Sequence, residues 1–244
     1  PFVQIAALLL QRGVSLAVSE TVVLKTPIHL IHVAVQSSSS IAYHNYNVIT
    51  LKSNAQVKVY EQYVCLNDAD YLSNSFTHWF VGDNVELSYV KLQSESRKAY
   101  HMATVQVDQS TESICDMQCY HWGASLSREN FTVNLNGERA QHRIKFLSAM
   151  DEKRQSHTVI HMNHRASACR SCQLVRSLAD DKAQVSINGR IYVAEGATKT
   201  QADLQNKNLL LSSQAAIYTQ PDLEIYNDDV VCSHGATVGS LDEQ

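Results

Sequence analysis

From Ser19 onward the chain has no convincing ten-residue helical stretch. Short runs follow one another instead: VVL, HLIHVAV, YNVITL, AQVKVY, VELSYVKL, ATVQV, FTVNL, QVSI and RIYVA. Each alternates or clusters apolar residues between polar turns, which is the pattern of strands. Columns spaced by twenty-seven residues keep similar character: Tyr60, Leu87 and Ile114; Tyr63, Val90, Met117 and Ile144; Cys65, Leu92, Cys119 and Phe146. The first column fails at Gln141. A strand pair returning at that pitch suits the coils of a parallel β-helix, in which each rung buries its inner face only against its neighbours. A sandwich with chance periodicity is the alternative that the pattern alone leaves open.

Only the front of the chain departs from this. Phe2, Ile5, Ala6 and Leu9 form a helical stripe that Gly13 can stop, so residues 1–18 read as a helical segment and 19–244 as the β core. Eight glycines and three prolines are few for so many turns, so Asn, Asp and Ser are expected to do much of the turning. Val81-Gly82-Asp83-Asn84 and Asn136-Gly137-Glu138 read as turns between rungs, and Ser37 to Ser40 as a turn or solvated strip. Trp79 and Trp122 are expected to fill rungs or interfaces.

Composition narrows the function classes. A formal net charge of −4 provides no general attraction to nucleic acid or an anionic membrane. The longest apolar run, Ile5 to Leu10, is six residues, against the about 18 needed to span a bilayer. No secretory signal pattern is visible, so the Asn130-Phe-Thr132 sequon carries no weight. Six cysteines in 244 residues do not form a disulfide framework, and reduced thiols in a cytoplasmic setting are expected. No phosphate-cradling loop and no nucleophile elbow occurs.

Metal-ligand chemistry is better represented. Near the end, Cys232-Ser-His234 closes a strand-like run after Pro221. In an extended chain the thiol and the imidazole share one face and Ser233 takes the other, forming half of a soft-metal site. Gly235 and Gly239 follow and are read as releasing the backbone. Cys169-Arg-Ser-Cys172 has half a zinc-site spacing with no second half to complete it. His157, His161 and His164 precede it; on a strand the first two share a face and His164 opposes them. His164, Cys169 and Cys172 are therefore secondary metal candidates. Asp228-Asp229 resembles the acid pairs of β-helix glycosidases, but adjacent strand residues face opposite ways and cannot flank one sugar bond.

The run LEIYNDDVVCSHGATVGSLDE, with GRIYVAEGATKTQADLQNKNLLLSSQAAIYTQPDLEI before it, resembles SufD, a non-ATPase subunit of the SUF iron–sulfur cluster assembly system. Weaker islands are YEQYVCLNDADYLSN near Tyr60 and FTVNLNGERA near Phe131. The sister subunit SufB typically has Glu directly after the matching His, where this chain has Gly235. The resemblance implies an all-β, right-handed parallel β-helix and a scaffold, not an enzyme. It also implies pairing with a SufB-like subunit, with His234 needed where transient iron–sulfur clusters are built and a less certain role for Cys232. Self-pairing as a homodimer is open on the sequence. In the family a helical segment after the SHGAT motif docks the ATPase SufC and another precedes the β-helix; loss or weakening of SufC docking is the corresponding expectation here. Nothing identifies a pocket for the flavin associated with the family complex. The rival readings are a β-helix carbohydrate enzyme and a purely structural self-associating β-helix.

An unpaired last rung links fold to partner. The final strand of an open β-helix leaves its hydrogen-bonding edge bare, and such edges are capped or paired with another chain.

Overall fold

The computed structural model describes residues 2–10, 12–35 and 41–240; the Ser37–Ser40 strip therefore lies outside the described residues. A short helix, α1 (Phe2–Leu8), is followed by β1 (Ser15–Val18), β2 (Ile28–Ala34), β3 (Ile41–Leu51), β4 (Gln56–Cys65) and β5 (Tyr71–Val81). Next come β6 (Glu86–Ser94), β7 (Tyr100–Gln109), β8 (Ile114–His121), β9 (Leu126–Leu135), β10 (Gln141–Met150) and β11 (Gln155–His164). The chain closes with β12 (Arg170–Ala179), β13 (Gln184–Val193), β14 (Thr200–Leu210), β15 (Ala216–Ile225) and β16 (Val230–Ser240).

Odd and even strands separate completely. One eight-stranded sheet runs β1-β3-β5-β7-β9-β11-β13-β15 and the other β16-β14-β12-β10-β8-β6-β4-β2. Every pairing between these strands is parallel. Each strand is thus followed by a corner into the opposite sheet and a second corner back, which is a β-solenoid of about eight turns. The sandwich alternative fails because its sheets are built from antiparallel neighbours.

The twenty-seven-residue pitch holds between β8 and β10, where Met117 lies on Ile144 and Cys119 on Phe146. Elsewhere the step differs: Tyr60 lies on Val90, Leu87 on Cys115 and Leu174 on Gln205. Corner length varies while strand register is kept, so a fixed-step column drifts off the true stack.

The inward columns are the core. Val59, Tyr89, Met117, Ile144, Gln173, Leu204 and His234 stack in one line across the even sheet. Trp79 is fully buried, whereas Trp122 is half exposed. The helical segment is shorter than residues 1–18, because β1 already pairs with β3. Gly13 is required for another reason than stopping the helix: a Cβ there would lie 2.0 Å from the Tyr46 carbonyl oxygen.

Turning is not left to Asn, Asp and Ser. Left-handed φ angles occur at Asn54, Asn84, Glu112, Arg139, Ala168 and Lys199, one per turn along one corner, and at no glycine among the described residues. The amide of each donates to the next turn's carbonyl: Asn54 to Asp83, Asn84 to Thr111, Glu112 to Glu138, Arg139 to Ser167, Ala168 to Thr198 and Lys199 to Asp229. The strained conformation therefore aims an N–H along the solenoid axis, and that hydrogen bond offsets part of its cost. An L-residue in this region costs roughly 1–2 kcal/mol, and glycine's extra chain entropy offsets about 0.5–1 of any relief. Glu112→Gly or Lys199→Gly is accordingly expected to raise stability by about 0.5–1 kcal/mol, read as a higher urea midpoint at unchanged m-value. Asp229, half of the acid pair, lends its backbone carbonyl to this ladder as an acceptor.

Candidate functional site

Among the described residues β15 pairs only with β13 and β16 only with β14, so the last described turn presents two free strand edges. β-branched and aromatic residues make these strands regular, and no described strand pairs with their outer edges. Val231 is 71% exposed and Tyr218 64%, with Tyr226, Val238 and Ile225 also open. Monomers seldom leave apolar side chains and bare edges together unless the surface meets a partner.

Cys232 stacks on Ala202 and His234 on Leu204, both buried inward positions, while Ser233 stacks on Asp203. The Ser233 hydroxyl donates to Asp203 Oδ1 at 2.6 Å on the outer side. The alternation is the one expected: thiol and imidazole share the inner parity. Their surroundings differ. Cys232 is half-buried and packs with Ile191, Val193, Ala197, Ala202 and Leu204. Burial pushes its thiol up, and the Ala202 backbone hydrogen bond offsets only part of that. It is consequently a packed thiol rather than a ready thiolate. His234 is exposed at the open end, where its imidazole is accessible to a ligand from outside. Gly235 and Gly239 lie inside β16 without left-handed φ, and a Cβ on Gly235 would meet nothing within 4 Å. Neither glycine releases a turn; Gly235 simply leaves the backbone beside His234 uncovered.

The secondary metal candidates are kept apart. His157 and His161 face outward on β11 and His164 inward, as expected for a strand. The His164 ring accepts or donates at Nε2 to the Ser171 hydroxyl at 2.8 Å, and His157 Nδ1 contacts the Ser186 hydroxyl at 2.7 Å. Cys169 is buried at the corner before β12, its thiol donating to the Gly137 carbonyl at 3.2 Å. Cys172 has the opposite parity and lines an outer groove with Asp116, Arg143 and Asp203. The two sulfurs thus part, one buried at the corner and the other outward on β12. Among the described residues, no three His, Cys, Asp or Glu side chains are grouped to hold a metal ion. His234 in particular belongs to no such group among the described residues.

Buried neutral imidazoles elsewhere set the acid limit of the fold. Burial depresses His121 and His142 to about 3 and His164 to about 4, with His164 adding to the effect on His142. Unfolding returns each to the ordinary value of about 6.5. Their contribution to stability is full above that value and is lost as pH falls toward the folded values. Urea midpoints are expected to drop steadily from pH 6.5 to pH 4.

A family profile described as "SUF system FeS cluster assembly, SufBD core domain" matches residues 32–244. The chain belongs to the SufBD core family. Among SufBD relatives, the iron–sulfur cluster assembly protein SufD of Escherichia coli is 33% identical over 201 residues, covering 82% of this chain and 48% of that protein. A SufBD family protein of Synechocystis is 31% identical over 229 residues, covering 90% of this chain and 50% of its own length. SufD of Bacillus subtilis is 24% identical over 242 residues, or 97% and 54%. The chain spans about half the length of the curated SufBD relatives it matches. No described helix is long and apolar enough to cross a membrane.

Proposed function

We propose that this chain is the β-helical core of a SufD-like, non-ATPase scaffold subunit of the SUF machinery, working in the cytoplasm. It pairs through the free edges of β15 and β16 with a SufB-like subunit. Iron and sulfide are cargo at that seam, where His234 supplies one imidazole and the partner the other ligands. The observation that carries this reading is the accessible His234 on an unpaired, apolar-flanked terminal strand. Family membership supports the SUF assignment, and the SufD relatives support the D-like choice.

The test is to mix the purified chain with a SufB-like subunit and measure the mass of the product by light scattering. A one-to-one complex is expected, and a proline at Ala236 in the middle of β16 should abolish it by removing an edge donor. A homodimer that persists in the presence of the SufB-like subunit would overturn the heterodimer reading.

A further inference from the structure

The lumen between β4 and β9 is unlike the rest of the core. Lys91 on β6 and Glu129 on β9 are each 1% exposed, and Lys91 Nζ lies 2.7 Å from Glu129 Oε1 across the two sheets. The same carboxylate oxygen is 2.8 Å from Nε2 of His101 on β7, a residue with no exposed surface. On its other side His101 Nδ1 lies 2.6 Å from Oε2 of Glu95, just after β6. That second contact is bent away from a linear hydrogen bond but is shorter than two facing lone pairs tolerate. Ionised carboxylates only accept; with Glu95 and Glu129 both held below the ordinary carboxylate range, both ring nitrogens carry protons.

We propose that Lys91, Glu129, His101 and Glu95 form a proton-gated clamp across the lumen, in which opening of β6–β9 releases the proton held on His101. Two carboxylates face one ammonium and one imidazolium, so the quartet is formally neutral. Removing the His101 proton in place would leave an uncompensated negative charge in a buried lumen, a costly arrangement.

Every group facing His101 fits this assignment. The Tyr63 ring meets it edge-on at 4.9 Å, and Lys91 lies 4.9 Å over that same ring. Gln93 donates to Glu95 at 3.1 Å, with Tyr71 beside the same carboxylate. His121, 6.2 Å away between ring centres, is kept neutral by burial. Further along, Glu61 is held by His32 at 2.9 Å and by the Tyr63 and Tyr89 hydroxyls, and Cys119 stacks on Lys91. Burial alone would push the His101 imidazolium down, but the Glu95 and Glu129 carboxylates reverse this and hold it at about 9. Burial would also raise Glu129, and the Lys91 ammonium and the His101 imidazolium bring it below the ordinary carboxylate range.

The pH window follows from the raised value. An opened turn exposes His101 with an ordinary pKa of about 6.5. The clamp is at full strength below that pH and weakens until about 9, where the folded imidazolium itself titrates. One proton released per opening makes the opening constant rise about tenfold per pH unit over that range.

Amide hydrogen exchange on the whole chain, corrected for intrinsic rates, reads this directly. Between pH 7 and pH 9 protection of β6–β9 is expected to fall about 40-fold, with close to one proton's worth per unit in mid-range, and then to level off. Protection in β13 and β14 should not follow. His101→Gln should abolish the slope. Because that variant can fail to fold, the unaltered chain provides a second reading: nitrogen NMR at pH 7.5 should show both His101 ring nitrogens protonated. A bare ring nitrogen at pH 7.5, or a pH slope shared equally by β13 and β14, would overturn the proposal.

Discussion

Lys91→Ala is expected to destabilise the solenoid by about 3–5 kcal/mol, the range for stranding one partner of a buried ion pair. The alanine leaves Glu129 buried with the His101 imidazolium as its remaining charged partner among the described residues. It also removes a long side chain from a column that continues through Cys119 and Phe146. Chemical denaturation at pH 7 checks this, and the loss should appear in the midpoint. Pairing Lys91→Met with Glu129→Gln should recover most of it, since apolar or neutral replacements of a complete buried pair are often harmless. A loss under about 1 kcal/mol for Lys91→Ala would mean that water reaches the lumen and that the two charges behave as a surface pair.

His234→Ala is expected to leave folding unchanged and to lower the iron–sulfur absorption formed with a SufB-like partner by at least about tenfold, on the scale of losing a contact that tunes a metal site. The fold should not respond, because the imidazole is exposed and supports no further rung among the described residues. Cys232→Ala should affect cluster yield less, since that thiol is packed into the apolar cluster under β16. Gly235→Ala serves as a control: the added methyl meets no neighbour in the chain, so any loss must arise at the partner. Unchanged absorption in His234→Ala would leave the open edge as a docking surface with no chemistry of its own.

The solenoid was legible where inward positions are apolar. ATVQV alternates cleanly and lies in β7, with Ala103, Val105 and Val107 buried. β5 was hidden because Ser73, Ser75 and Thr77 occupy buried inward positions there, which breaks the hydrophobic alternation. QVSI and RIYVA proved to be one strand, β13, continuous through Gly189, where a Cβ would run into Leu204. The shared parity of Cys232 and His234 needed only strand geometry, and it held. Their unequal exposure did not follow from parity, because it depends on which neighbours fill the turn beneath.

The charged quartet left a signal that went unread. Lys91 has the same parity as Leu87 and Tyr89, and Glu129 the same parity as Phe131 and Val133. Opposite charges at inward parity on strands as near as β6 and β9 are costly unless they meet, and that alone pointed to a contact across the sheets. What the chain could not reveal was the third dimension: His101 joins them only because corners of unequal length bring β7 and β9 into register.

Those unequal corners have a bearing on descent. A residue gained or lost at a corner alters the spacing between neighbouring strands without turning a single side chain from the inside to the outside. Relatives can thus diverge in length and erase their own internal echo while every layer of the stack stays in place. Searches for repeats in such chains should compare in-and-out parity strand by strand and let the interval float.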